Sequence, residues 1–254
     1  MSMQRRPLGA TGIKVSVLGL GTVKLGRTEQ VKYPAPFSVP SDAEAAALLD
    51  LAAGLGITVL DTAPAYGIAE ERVGRLIAAD RDRWTIVTKA GEEFSEGRSQ
   101  FDFSPAAIRA SLERSLRRLG TDRVEVLLIH SDGAIETRVP DEVWVELARL
   151  RHEGKVRAAG ISTKSVEGSR ACLPHVDVLM VTVDPRDPAD TAVVEEAHTR
   201  GVGVLAKKVL GSGHAADPAA ALRAVIGVPG VSCAVIGTIN PVHLQANCQA
   251  AGVL

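Results

Sequence analysis

Four side chains in this sequence are of the types needed to place a proton on a carbonyl oxygen: Asp61, Tyr66, Lys89 and His130. A free tyrosine is a weak acid at neutral pH, with an ordinary pKa of about 10. An ammonium beside it favours the phenolate and eases proton transfer, and a carboxylate paired with that ammonium keeps it charged and fixed. Tyr66 is therefore a candidate acid, Lys89 its tuner, Asp61 the anchor of Lys89, and His130 a hydrogen-bonding group that orients the carbonyl. Each also has an ordinary structural explanation. Asp61 can cap a helix with Tyr66 packed beneath it, a strand-end lysine is often a surface charge, and a histidine can be a packing residue. What argues for joint use is that Asp61, Lys89 and His130 each close a short apolar run, while Tyr66 follows Asp61 across a loop that Pro64 and Gly67 hold away from helix.

Those runs are the elements that must position the four. Short apolar stretches at 16–20, 57–60, 84–89, 124–129, 156–161, 176–183, 202–206 and 231–236 read as strands. Between most of them lie helical patterns. One opens at a capping box of Ser41 and Glu44, another covers 69–79, and a third runs from Ser104-Pro105 to Gly120. Others cover 140–152, 191–199 and 218–226, and the last starts at Asn240-Pro241. Strands alternating with helices indicate parallel βαβ units, and eight strands predict a closed (β/α)8 barrel. The rival, an open doubly wound sheet, needs a Gly-x-Gly-x-x-Gly turn, and here Gly19-Leu20-Gly21 continues as Thr22-Val23-Lys24. Ahead of the barrel, 5–15 reads as a short β-hairpin turning at Gly9 and Gly12, a possible small lid. The segments 24–40 and 90–103 read as long irregular loops, of the kind that carries function rather than packing. No linker marks a second domain, so 1–254 reads as a single barrel. In such a barrel the carboxyl ends of the strands converge on one mouth.

The bulk properties set limits on function. A chain of 254 residues with 46% hydrophobic content and a formal charge of −1 has ample core and no basic excess for nucleic acid or an anionic membrane. No apolar run reaches membrane-spanning length and the N-terminus lacks the apolar segment of a secretory signal, so a cytoplasmic protein is expected. Cys172, Cys233 and Cys248 are scattered and odd in number, which predicts buried free thiols and neither disulfides nor a metal site.

Taken together, Gly19-Leu20-Gly21-Thr22, Asp61-Thr62-Ala63-Pro64-Ala65-Tyr66-Gly67, Thr88-Lys89, Leu128-Ile129-His130, Gly160-Ile161-Ser162 and Val235-Ile236-Gly237-Thr238 with Asn240-Pro241 and Asn247 resemble the aldo-keto reductase family over nearly the whole chain. The family's Asp-Tyr-Lys-His tetrad falls on Asp61, Tyr66, Lys89 and His130 in order. The resemblance implies a barrel that reduces a small aldehyde or ketone with NADP(H), or NAD(H), and it implies cofactor contacts at Gly21, Thr22, Ser162, Thr163, Gly237, Thr238 and Asn247. Where the family holds the nicotinamide amide with a Ser-Asn pair and a Gln and stacks an aromatic on the ring, this chain has Ser162-Thr163, Met180 and Val183. Lys207, Lys208, Gly211 and Ser212 follow the seventh strand, where barrels commonly bind phosphate through cations and loop amides. Two further readings stay open. One is a weak or inactive nucleotide-binding barrel with a regulatory role, suggested by the altered nicotinamide positions. The other is a Schiff-base lyase, since Lys89 and Lys207 both end strands.

Overall fold

The computed structural model describes residues 3–252. Its centre is a closed barrel of eight parallel strands: β3 (Leu18–Gly21), β4 (Val59–Asp61), β5 (Thr85–Ala90), β8 (Val124–His130), β9 (Val156–Ser162), β10 (Val178–Thr182), β11 (Gly203–Lys207) and β12 (Val231–Ile236), with β12 pairing back onto β3. Seven helices connect the strands, α1 (Asp42–Gly54), α2 (Ala69–Leu76), α3 (Pro105–Leu119), α4 (Asp141–His152), α5 (Val166–Cys172), α6 (Pro188–Thr199) and α7 (Pro218–Gly227), and an eighth, α8 (Pro241–Ala250), follows β12. The predicted (β/α)8 architecture is the one present.

Local chemistry sets the helix starts. Ser41 accepts from the Glu44 N–H while the Glu44 carboxylate accepts from the Ser41 N–H, a complete capping box at α1. At α3, α6, α7 and α8 the starts are Ser104, Asp187, Asp217 and Asn240, each capping a free N–H just ahead of a proline in the first turn.

The hydrophobic groups divide into two cores. Val59, Val87, Val126, Leu128, Val178, Met180, Leu205, Cys233 and Val235 fill the barrel interior, and Leu8, Ile13 and Val15 join them. Those last three come from the N-terminal hairpin, β1 (Arg5–Pro7) paired with β2 (Lys14–Ser16). The hairpin is therefore present, but it is not a lid over the mouth. Arg6 donates to the carbonyls of Ile226 and Val231 at 2.9 and 2.8 Å, and Ala10 N donates to Gly201 O, all at the amino ends of β11 and β12. It plugs the opposite end of the barrel. The second core, between strands and helices, includes Leu20, Leu60, Ile86, Leu127, Ile129, Ile161, Val181 and Val183.

Two elements have no counterpart in the sequence pattern. Residues 90–103 are not irregular but carry a second antiparallel hairpin, β6 (Glu92–Ser95) with β7 (Arg98–Phe101), whose polar, charged composition hides its pairing. α5 is a seven-residue helix capped by Ser165, too short for a 3.6-residue period to show.

Candidate active site

Period-two alternation decides what enters the mouth. Val59, Val87, Leu128, Met180, Leu205 and Val235 all belong to the interior core, so the residues two further on point the same way. These are Asp61, Lys89, His130, Thr182, Lys207 and Gly237, with Gly21 and Ser162 at the matching levels of β3 and β9. The ladder places them in register: Gly21 opposite Asp61, His130 opposite Ser162, and Thr182 opposite Lys207. One ring of side chains thus crowns the barrel.

Lys89 is the centre of the ring and is 1% exposed. Its ammonium donates to Asp61 Oδ1 at 2.6 Å and to the Thr62 carbonyl at 2.8 Å, and its Nζ lies 4.6 Å from the centroid of the Tyr66 ring. Burial works against its charge, but Asp61 and Tyr66 outweigh burial and hold the Lys89 pKa above its ordinary value. Tyr66 is reached through a short 3-10 turn, Pro64–Tyr66, that ends at Gly67 with φ 63°. A side chain at Gly67 would collide with the Gly26 carbonyl, so the turn that carries Tyr66 needs glycine there. The lysine does pull the Tyr66 pKa down, as the sequence reading expects. Burial, however, is the larger influence, Asp61 adds to it, and the phenol stands at about 12. Tyr66 is consequently a protonated donor throughout the neutral range.

His130 meets Tyr66 edge to face, with centroids 6.2 Å apart and planes at 85°. Its Nδ1 lies 2.7 Å from Glu92 Oε2 on β6. Glu92 was not among the sequence candidates, because it sits in the stretch that looked irregular. Only the β6–β7 pairing turns it towards the mouth.

The expected cofactor positions divide. Thr22 is spent on the scaffold, its N–H and hydroxyl both donating to the Asp61 carbonyl at 2.9 and 3.0 Å. The Thr163 hydroxyl is engaged with Ser169 Oγ at 2.6 Å. Thr238 accepts from Asn240 N at 3.0 Å in the turn before α8, and Asn247 is buried on that helix. Ser162 Oγ, by contrast, accepts from Lys207 Nζ at 2.9 Å, and the Thr163 carbonyl accepts from the same amine at 2.6 Å. Lys207 therefore reaches across β10 inside the mouth. Burial is the main reason its pKa falls to about 7, and Lys208 and Lys89 add to the effect. Two positions are corrected here. Val183 lies in the outer core among the helices, and Met180 lies one layer below the mouth. The β10 residue that faces the mouth is Thr182.

The rim carries two lysines that sequence reasoning passed over. Lys32, from the loop after β3, and Lys164, after β9, both lower the Lys208 pKa, behind burial as the first cause. Gly211–Gly213 forms a tight turn next to them. The loop at 24–40 folds over this side: the Tyr33 hydroxyl lies where a side chain at Gly237 would be, and Pro34 lies against Gly213. Lys24 Nζ sits 3.9 Å from the Tyr33 ring centroid.

Residues 17–221 match the model of the aldo/keto reductase family. The chain belongs to that family, and its relatives include oxidoreductases. It is 30% identical to a D-threo-aldose 1-dehydrogenase of Pseudomonas sp. over 84% of this chain and 71% of that protein. It is 34% identical to an L-galactose dehydrogenase of Arabidopsis thaliana over 63% of this chain and 48% of that one. Among solved structures, a Pseudomonas aeruginosa protein classed with the aldo-keto reductases superposes with a TM-score of 0.88 at 48% identity, covering 98% of this chain and 94% of that one. The holo form of an aldo-keto reductase from Bacillus halodurans gives 0.84 at 25% identity, with 98% and 90% covered.

Proposed function

We propose that the protein is a nicotinamide-dependent oxidoreductase that interconverts a small aldehyde or ketone and the corresponding alcohol, with Tyr66 as proton donor in the reductive direction. The observation that carries this reading is the buried Lys89 ammonium held by Asp61 and Thr62 beneath the Tyr66 ring. An alkoxide is a far stronger base than a phenolate, so a protonated Tyr66 can quench it even with a raised pKa. Lys89 then stabilises the phenolate left behind. The names of the relatives point to sugar hydroxyls and their carbonyl products as the substrate class.

The residues present fit the cofactor. A dinucleotide is a polyanion, and Lys32, Lys164, Lys207 and Lys208 converge on one rim beside the Gly211–Gly213 turn. Gly237, just past β12, presents no side chain at the mouth, and the Tyr33 hydroxyl lies beside it. We assign Lys207, Lys208, Ser212 and Asn247 to holding it, and the four lysines favour NADP(H) over NAD(H). When bound, the nicotinamide supplies or accepts hydride. The chain itself orients the carbonyl through His130 and moves the proton at Tyr66 Oη.

No helix among the described residues is long and apolar enough to cross a membrane. The three buried free thiols suit a reducing compartment, and we place the protein in the cytoplasm as a single barrel domain. Titration with NADPH and NADH, followed by turnover with a panel of aldehydes and sugars, tests the proposal. Neither binding nor turnover with any of them would refute it, and tight binding without turnover would make the barrel a nucleotide sensor. One observation favours a second chemistry: a Lys207 amine with a pKa of about 7 is partly neutral and nucleophilic at physiological pH. Borohydride trapping of a carbonyl compound on Lys207 would establish that route, and its absence would remove it.

A further inference from the structure

Most of the charges at the barrel mouth are balanced. Asp61 lies 2.6 Å from the Lys89 ammonium. His130 is neutral at physiological pH, because burial first, and then Lys89 and Lys207, lower its pKa against the opposition of Glu92. Burial by itself would raise the Glu92 pKa, but His130, Ser99 and Arg27 bring it down to about 2, and Arg27 is the permanent cation that faces this carboxylate. Lys207 differs from all of these. Its ammonium donates to two neutral oxygens, Ser162 Oγ at 2.9 Å and the Thr163 carbonyl at 2.6 Å. Asp61 is taken by Lys89, and Glu136 accepts from Ser131 Oγ at 2.7 Å and from the Lys164 N–H at 2.9 Å. No carboxylate among the described residues stands at ion-pair distance from Lys207, so its charge leaves this side of the mouth positive.

A hydride donor has to bring its reacting carbon within about 3–3.5 Å of the carbonyl carbon, and Tyr66 and His130 hold the carbonyl oxygen. The nicotinamide ring must therefore enter the mouth. Asp61, Tyr66, Lys89 and His130 take up the side formed by β4, β5 and β8. The remaining arc, from β9 through β10, β11 and β12 to β3, presents Ser162, Thr182, Lys207, Gly237 and Gly21, and the two glycines put no side chain there. Lys207 is the one charged side chain of that arc. Lys32, Lys164 and Lys208 stand on the rim, suited to the phosphates. The ring itself has two charge states: it is a positively charged pyridinium when oxidised and uncharged when reduced.

We propose that the Lys207 ammonium makes the mouth discriminate between the oxidation states of the dinucleotide, binding the reduced form more tightly than the oxidised form by repelling the pyridinium charge. This assignment rests on the nicotinamide-dependent function proposed above. Both forms carry the same phosphates, so every contact of the rim lysines cancels in the ratio of the two affinities, and what remains is the charge on the ring. The groups that act on Lys207 are Lys208 beside it, Lys89 on β5, Asp61 on β4, His130 on β8 and Glu136 from the turn ahead of α4. Burial is the main reason the amine titrates at about 7, Lys208 and Lys89 add to the effect, and Glu136 and Asp61 oppose it. The ammonium is present below that pH and lost above it, so the discrimination is strongest in acid and fades as the pH rises.

Equilibrium titration of the full chain with NADPH and with NADP+, by fluorescence and calorimetry, gives the ratio of the two Kd values without any turnover. In the wild type the preference for NADPH should shrink about tenfold between about pH 6 and about pH 9, the scale set by two like charges several ångströms apart at a half-wet surface. Lys207→Met should show at both pH values the ratio that the wild type shows at the higher one, and Lys207→Arg, charged throughout, should keep the acid ratio at both. Lys208→Met should weaken the two forms alike and leave the ratio in place. A wild-type ratio that does not move with pH overturns the proposal with no variant needed. Lys207→Met weakening both forms equally would also overturn it and make Lys207 a phosphate ligand. Binding of both forms with no such discrimination leaves the proposed function standing, whereas no binding of either form overturns both.

Discussion

Replacing Lys89 with methionine is the most direct challenge to this account of the site. The side chain is 1% exposed, its volume is close to that of methionine, and it makes two short hydrogen bonds, to Asp61 Oδ1 at 2.6 Å and to the Thr62 carbonyl at 2.8 Å. Lys89→Met leaves the Asp61 carboxylate, itself 5% exposed, without its counter-ion. Removing one partner of a buried pair costs about 3–5 kcal/mol, because the remaining charge stays desolvated. For a chain of this size each kcal/mol moves the Tm by roughly 2–4 °C, so a fall of about 6–20 °C is expected. Asp61→Asn removes the stranded charge, and the double variant should recover much of the loss, with a coupling energy of about 1–3 kcal/mol. Calorimetric or circular-dichroism melts of the four proteins provide the cycle, and NADPH consumption on the same samples provides kcat. A single variant melting within about 2 °C of wild type, or a double variant no more stable than Lys89→Met, would show that the pair does not hold the site in the way argued here.

Tyr66→Phe keeps the ring over Lys89 but removes the hydroxyl proposed as the proton donor. Carbonyl reduction should fall by about 10²–10⁴ in kcat while fluorescence titration finds NADPH binding little changed. Since the Tyr66 pKa is raised to about 12, no alkaline loss of reduction due to this group should appear in the pH–rate profile below about pH 10. Lys207 has a folded-state pKa of about 7, depressed from the ordinary lysine value. Between those two values the unfolded chain binds more protons, so the Lys207 contribution makes the protein more stable as pH rises from about 7 to 10 and least stable below pH 7. Lys207→Met should raise the Tm most at acid pH, and urea denaturation at pH 6 and pH 9 compares the two arms. Gly67→Ala forces a methyl group into the Gly26 carbonyl from a φ of 63°, and should cost about 1–3 kcal/mol in thermal melts together with a drop in kcat as the turn carrying Tyr66 shifts.

Much of the fold was legible because barrel strands buried on both faces read as short apolar runs, and because Ser41, Ser104 and Asn240 mark helix starts through local hydrogen bonds to the backbone. All eight strands could be read, with ends displaced by one or two residues. α5 was not, since seven residues are two turns and show no period. The β6–β7 hairpin was not either. Its residues are mostly polar or charged, with Phe94 and Phe101 the exceptions, and what pairs them is the turn at Glu96 and Gly97 with positive φ, together with packing against the barrel rim.

The same division runs through the site. Sequence alone determined Asp61, Lys89 and His130 as a set, because each ends an apolar strand and a parallel barrel brings strand ends to one mouth. It also determined Lys207 by the same logic. Val183 was named through the family resemblance alone, and only the ladder of β10 shows that it lies in the outer core while Thr182 faces the mouth. Burial was the other quantity that only the tertiary structure decided. Sequence could put a lysine near Tyr66, but the sign of the net pKa shift depends on how much water the fold removes, and desolvation outweighs the ammonium. Glu92 belongs wholly to the tertiary level. A hairpin folded over the mouth aims its carboxylate at His130, 38 positions away in the chain, and no local pattern encodes a meeting that exists only once the barrel has closed.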